Sequence, residues 1–400
     1  MHRVISPSIR SAQFQYAIRN IVTSAEALER AGRHIIYLNI GDPQVFGFRP
    51  PALIVEVVQR ALKDNFTGYA HSTGLPEAKI AIANYASNLG APTDPADIIV
   101  TSGASEGADL VMTALLNEGD EVLLPAPGYP IYPAITARLG ATACYYHLDA
   151  GNNWQPSVDE IASLINERTR AIVLINPNNP TGSVTPDETT IQVLSLAAEH
   201  ELVVISDEVY RELCFVSPPT SAAVLTASVG APVITLESLS KTHLIPGWRV
   251  GWMRFSDSVK MRELIAATTR LAGGRLCSPT PAQYAIKPAL AGDRSFMSDF
   301  VRDLKARRDF AVSQIGNIRG LSCSTPQAAF YLMVKVDELG CSTDELFVLE
   351  MLERSGVLVV HGSGFGCDPR AGYFRLVYLA NEELLRFALA NIGSFMDSRV

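Results

Sequence analysis

Between Ile98 and Phe255 the chain repeats one pattern: a short continuous apolar run, a glycine-rich or polar break, then a stretch with helical spacing. The apolar runs fall at 98–101, 121–124, 141–147, 171–175, 202–206, 233–236 and 249–255. Runs this short and this uniformly apolar, separated by helices, predict strands covered on both faces, and hence a mostly parallel sheet between helical layers. Ahead of them, helical spacing covers 21–31, a short strand covers 35–38 and ends in the turn Gly41-Asp42-Pro43, and Pro50-Pro51 open a helix running towards Leu62. After Ser256 the pattern lengthens. Helices are predicted at 259–272 and 281–315, followed by two strands at 330–336 and 374–379 and a last helix. The chain therefore reads as an α/β protein with a large domain at 46–290 and a smaller α+β domain assembled from 1–45 and 291–400.

Composition narrows what such a chain does. With 48% hydrophobic residues and 18% charged ones in 400 residues, it can bury a large interior. A net charge of -8 and the lack of a basic stripe argue against a nucleic-acid partner. Six cysteines are scattered without a C-x-x-C pair or metal-ligand spacing, so neither a disulfide framework nor a metal site is expected. No run of eighteen apolar residues and no apolar leader is present, and the expected home is the cytoplasm.

The candidate chemistry gathers at the predicted strand ends, where open α/β sheets bind ligands. Ser102-Gly103-Ala104-Ser105-Glu106-Gly107 follows a strand and opens a helix, so its free backbone amides suit a phosphate, although Ser105 also reads as an ordinary N-cap. Pro127-Gly128-Tyr129-Pro130 places an aromatic ring at the next turn, and Asn176-Pro177-Asn178-Asn179-Pro180-Thr181-Gly182 fixes the backbone that presents Asn179. Asp207 closes a strand of apolar neighbours, where a carboxylate needs a cation, and Tyr210 follows three residues later. Ser238-Leu239-Ser240-Lys241 is joined to Arg249 by a Pro246-Gly247 turn that can bring the two cations together. A neighbouring cation or burial would lower the Lys241 pKa enough to make it a nucleophile, and Arg249 is the candidate neighbour.

Taken in order, G-A-S, P-G-Y-P, N-P-N-N-P-T-G, D-E-x-Y and S-x-S-K-x-x-x-x-P-G-W-R-x-G resemble the class I and II aminotransferases of pyridoxal phosphate (PLP) fold type I, over nearly the whole chain. Within that family the chain looks most like the bacterial alanine (glutamate-pyruvate) transaminases, through Tyr16-Ala17-Ile18-Arg19, through Leu38 to Pro43 with Phe46-Gly47-Phe48, and through Arg275-Leu276-Cys277. It departs from that branch at Pro279, His361 and Val377, where relatives commonly carry Asn, Pro and Ser.

The resemblance implies a role for each matching position. Lys241 would be the Schiff-base lysine and Asp207 the partner of the pyridine nitrogen. Tyr129 would stack on the ring, while Asn179 and Tyr210 would bind its phenolate oxygen. Ala104, Ser105, Ser238, Ser240 and Arg249 would hold the phosphate, with Tyr69 reaching the phosphate of a neighbouring subunit in a homodimer that shares its sites. Arg375 would grip the substrate α-carboxylate beside the Gly41 backbone. Tyr16 and Arg19 would lie over the site, with Arg19 meeting a second carboxylate.

The activity this implies is ping-pong transfer of an amino group between an L-amino acid and a 2-oxo acid, alanine and glutamate with pyruvate and 2-oxoglutarate. Two alternatives remain open at this stage. One is another enzyme of the same fold, such as an aromatic or aspartate transaminase or a carbon-sulfur lyase, because fold does not fix which bond breaks. The other is a PLP-sensing regulator without turnover.

Overall fold

The computed structural model describes residues 5–8, 21–340 and 342–399. Its strands, in chain order, are β1 (Ile36–Tyr37), β2 (Ile98–Thr101), β3 (Glu121–Ala126), β4 (Thr142–Asp149), β5 (Gln155–Pro156), β6 (Thr169–Ile175), β7 (Val203–Asp207), β8 (Val233–Ser238), β9 (Gly251–Phe255), β10 (Leu321–Cys323), β11 (Tyr331–Val336), β12 (Val357–Leu358), β13 (Val360–His361) and β14 (Tyr373–Val377). Eight of them form one sheet in the order β2-β9-β8-β7-β6-β3-β4-β5. The pairs from β8 through β7, β6 and β3 to β4 are parallel, while β9 runs against both its neighbours and β5 against β4.

The period of two explains why these strands read as continuous apolar runs. In β6, Ala171, Val173 and Ile175 face a cluster with Ala108, Val111 and Met112 of the helix Ala104–Leu115. Ile172 and Leu174 between them face Val193, Leu194 and Ala197 of the helix Asp187–Glu199. Both faces are thus covered by helices, and from Ala171 to Ile175 no position on the strand is left to water. At the other end of the sheet, Ile98, Val100 and Trp252 pack on Ile82 of the helix Pro76–Asn88.

A smaller antiparallel sheet runs β10-β11-β14-β13, and β1 pairs in parallel with β12. Its core is completed by Phe300 and Leu304 of the helix Ser295–Gly316, Phe347 and Met351 of Asp344–Ser355, and Leu385 and Leu389 of Glu382–Asp397, together with Ala25 of the helix Val22–Arg30 and Ile21 just before it.

Three expectations change. The helix expected at 281–315 is three helices, Thr280–Gln283, Ile286–Ala291 and Ser295–Gly316. The break before the last is fixed by Asp293, whose carboxylate accepts from the Ser295 amide at 2.8 Å and hydroxyl at 2.9 Å. The smaller sheet gains β10 and β13, β1 gains β12, and a further helix appears at Asp344–Ser355, capped by the Thr343 hydroxyl and ended by Gly356 at φ 71°. The strand expected from Arg249 starts at Gly251, because Arg249 itself is left-handed at φ 57° and closes the preceding turn.

Candidate active site

Lys241 sits on a single helical turn, Leu239–Thr242, directly after β8, and the chain returns through a 3-10 turn at Pro246–Trp248 to β9. The turn is nucleated by Ser238, whose Oγ accepts the Ser240 amide at 3.0 Å and lies 2.7 Å from both the Ser240 hydroxyl and the Val250 carbonyl. This geometry aims Lys241 into a cavity of about 570 Å³ at the carboxyl ends of β6, β7 and β8. The same cavity is lined by Gly41, Ala104, Ser105, Tyr129, Asn179, Asp207, Tyr210, Ser238, Ser240, Arg249 and Arg375. A second cavity of about 590 Å³, on the side of His361 and Ser363, shares Tyr129, Tyr132 and Ile175 with it but includes none of Lys241, Asp207, Arg249 or Arg375.

Burial does most to set the Lys241 proton affinity. It pulls the ammonium down to about 8, with Arg375 and then Arg249 adding repulsion and Asp42 opposing. Of the two causes the sequence left open, burial is the larger, and Arg249 adds to it in the same direction as a minor neighbour. The amine donates to the Gly41 carbonyl at 2.7 Å. Because the neutral amine is the nucleophile, the rate at which apoprotein captures an aldehyde at Lys241 should rise with pH through a midpoint near 8. Stopped-flow absorbance across pH 6–11 checks this, and a midpoint near the ordinary lysine value would contradict it.

The anion seat stands opposite. The helix Ala104–Leu115 begins at Gly103, which takes the N-cap position at φ 79°, so Ser105 lies inside the first turn and is not the cap. Arg249 lies over Gly103 so closely that any side chain there would strike its guanidinium, and it donates to the Ser102 carbonyl at 3.1 Å and the Pro246 carbonyl at 2.9 Å. Glu106 holds this loop from below, accepting from the Ser102 amide at 2.6 Å and pairing with Arg275 at 2.8 Å. The helix N-terminus, the Ser105, Ser238 and Ser240 hydroxyls and Arg249 together offer a phosphate site.

Asp207, 7% exposed, ends β7 at the cavity floor. Its Oδ2 accepts the Tyr132 hydroxyl at 2.8 Å and its Oδ1 the Val209 amide at 3.2 Å. Burial pushes its pKa up to about 6 against the lowering effect of these two donors, so at neutral pH it is an ionised carboxylate facing a site that suits a cation. Sequence reasoning did not single out Tyr132. Its signal was its place three residues after Tyr129, on the first turn of the helix Ile131–Leu139.

Arg375 of β14, 1% exposed, reaches the cavity from the smaller sheet. It donates to the Asn179 Oδ1 at 2.9 Å and the Asn39 carbonyl at 2.6 Å, and its guanidinium lies over the rings of Tyr331 at 4.4 Å and Phe365 at 4.5 Å. The Tyr210 and Tyr331 hydroxyls are 2.7 Å apart. Tyr331, Phe365 and Asp42 were not foreseen. Tyr69 is 83% exposed and lies outside the cavity lining, while Tyr16 and Arg19 fall outside the described residues.

The profile of the family "Aminotransferase class I and II" matches residues 33–392. The chain belongs to that family. It is an aminotransferase, and members of the family depend on pyridoxal phosphate. It is similar to the glutamate-pyruvate aminotransferase AlaA of Haemophilus influenzae, at 35% identity over 96% of each chain. It is also similar to the alanine aminotransferase of Mycobacterium tuberculosis, at 35% identity over 99% of this chain and 94% of that one. Among solved structures, an alanine aminotransferase from Pyrococcus furiosus superposes with a TM-score of 0.95 and 39% identity, covering 98% of this chain and all of the other. Among the described residues, no helix is long and apolar enough to cross a membrane.

Proposed function

We propose that this aminotransferase moves the amino group between alanine or glutamate and pyruvate or 2-oxoglutarate, using pyridoxal 5′-phosphate held at Lys241. The observation that carries the reading is one cavity in which a lysine with a lowered pKa, a buried carboxylate, a phosphate seat and a carboxylate-binding arginine all converge. These residues fit the cofactor: a helix N-terminus and Arg249 suit a dianion, Asp207 suits a protonated ring nitrogen, and Asn179 and Tyr210 suit a ring oxygen. Tyr129, on the cavity wall, suits a flat ring. The names of the relatives support alanine and glutamate as the amino donors.

When bound, pyridoxal phosphate supplies the carbonyl that accepts the amino group and the ring that withdraws electrons from the substrate Cα. The protein's own residues do the rest. Arg375, backed by the rings of Tyr331 and Phe365, holds the α-carboxylate, which orients the Cα-H bond towards Lys241. Lys241 Nζ, neutral above about pH 8 and partly so below it, takes the Cα proton and delivers it to the other end of the reacting system. Asp207 keeps a proton on the ring nitrogen.

A homodimer with Tyr69 given to the partner's phosphate is part of the same proposal, supported by the exposure of Tyr69 together with that of Phe66 and Val45. So are the division at 46–290 against 1–45 with 291–400 and a cytoplasmic location.

The substrate pair is tested at Arg19. Among the described residues that line the cavity, the cations are Lys241, Arg249 and Arg375, so a second carboxylate on glutamate needs a further partner. Arg19→Ala should slow the glutamate and 2-oxoglutarate half-reaction about tenfold or more relative to the alanine and pyruvate one, whereas Arg375→Ala should damage both. Half-reactions followed by cofactor absorbance separate the cases, and equal losses on both substrates for Arg19→Ala would sink the assignment.

A further inference from the structure

Tyr331 occupies a place that none of the motifs marks. It opens β11, is buried, and lines the cavity between the two groups of residues assigned to cofactor and substrate. Three contacts meet on its one side chain. Its hydroxyl is 2.7 Å from the Tyr210 hydroxyl. Its ring face carries the Arg375 guanidinium at 4.4 Å. And Gly41, whose carbonyl holds the Lys241 amine at 2.7 Å, approaches so closely that a Cβ there would stand 2.5 Å from the Tyr331 hydroxyl. The register of the smaller sheet makes this possible: Tyr331 pairs with Val377 and Met333 with Arg375, so Tyr331 and Arg375 sit two positions apart on adjacent strands, pointing to the same side.

We propose that Tyr331 is a positioning residue that couples the two halves of the site, its hydroxyl holding Tyr210 toward the cofactor ring oxygen and its ring holding Arg375 toward the substrate carboxylate. The inference rests on the cofactor reading above. Tyr210 has a single proton to give. Once that proton is directed at an anionic ring oxygen, the hydrogen bond between the two phenols can persist only with Tyr331 as donor. The donor role suits Tyr331: burial raises both phenols, and at Tyr331 the charge of Arg375 on its face is the largest offset. A phenol that donates to Tyr210 makes Tyr210 a stronger donor in turn, because hydrogen bonds in a chain polarise one another. The net effect is to favour the anionic ring oxygen, and so to lower the proton affinity of the lysine-bound cofactor.

The two functions separate by substitution. Tyr331→Phe removes the hydroxyl and keeps the ring; Tyr331→Leu removes both. In Tyr331→Phe holoenzyme the midpoint of the pH-dependent change in visible absorption should rise by about half to one pH unit, the loss of one hydrogen bond's effect, roughly a three- to tenfold change in proton affinity. Tyr210→Phe should move it the same way, and the double variant should show no more than Tyr210→Phe alone, since the relay runs through Tyr210. The KM for alanine should stay within about twofold in Tyr331→Phe but rise roughly three- to thirtyfold in Tyr331→Leu, as expected for losing the aromatic support of a guanidinium.

Cofactor content and the near-ultraviolet spectrum establish that each variant is folded and loaded. An unshifted midpoint in Tyr331→Phe, or fully additive shifts in the double variant, overturns the coupling to Tyr210. An unchanged KM in a folded Tyr331→Leu overturns the support of Arg375. A wild-type protein that binds no pyridoxal phosphate would instead overturn the functional reading on which the inference stands.

Discussion

Replacing Lys241 with alanine should abolish multiple turnover, lowering kcat by roughly two to four orders of magnitude through loss of the proton-transferring amine alone. Among the described residues lining the cavity there is no second lysine to take over, and the nearest alternatives in charge, Arg249 and Arg375, cannot lose a proton at working pH. The proposed phosphate seat of Ser105, Ser238 and Arg249 is left intact, so the variant should still bind the cofactor, but reversibly. Borohydride reduction followed by dialysis should leave the wild type permanently labelled and the variant unlabelled. A variant that keeps a reduction-stable label carries its attachment at another residue.

The second large effect is expected at Asp207. Substitution by alanine removes the carboxylate that the Tyr132 hydroxyl and the Val209 amide hold in place, and it leaves a buried phenol without its acceptor. Removing one partner of a buried charge pair costs about 3–5 kcal/mol, so kcat should fall by about two to four orders of magnitude. The proposed phosphate seat at Ser105, Ser238 and Arg249 does not include Asp207 and should keep the variant loaded. Turnover normalised to bound cofactor, measured by absorbance, is the decisive quantity. Near-wild-type turnover with full loading would remove Asp207 from the mechanism.

Why some of this was legible in the sequence and some was not comes down to distance along the chain. Strands β2, β3, β7, β8 and β9 declare themselves because they are buried along their whole length, so the break that follows each is abrupt, whereas the short edge strand β5 left no such run. Asp207, Ser238 and Lys241 stand at those breaks and stood out as polar groups in the wrong place. Arg375 was found through family resemblance, since a charged residue inside the run Phe374-Arg375-Leu376 has no local reason to be buried. Tyr132 and Tyr331 escaped because an aromatic residue on a helix face or in a strand looks like core. Only the partner reveals otherwise, and Asp207 lies 75 positions from Tyr132 while Tyr210 lies 121 from Tyr331. For Lys241 the sequence left open whether burial or the Arg249 cation lowers its proton affinity, and burial, which no local pattern records, matters more.

The hairpin formed by β8 and β9 has a consequence for what the enzyme can hold. Ser238 pairs with Gly251, so Lys241, three residues beyond one strand, and Arg249, two residues before the other, leave the same end of a single hydrogen-bonded ladder. In the proposed function Lys241 meets the carbonyl and Arg249 the phosphate, which makes them the two jaws of one caliper, whose opening is set by the closed turn Pro246–Trp248 and the single helical turn Leu239–Thr242. A molecule with the same aldehyde and anion but a longer or shorter body between them can be gripped by one jaw at a time. Lengthening the segment 242–248 by a residue would regauge the instrument without touching any group that does chemistry.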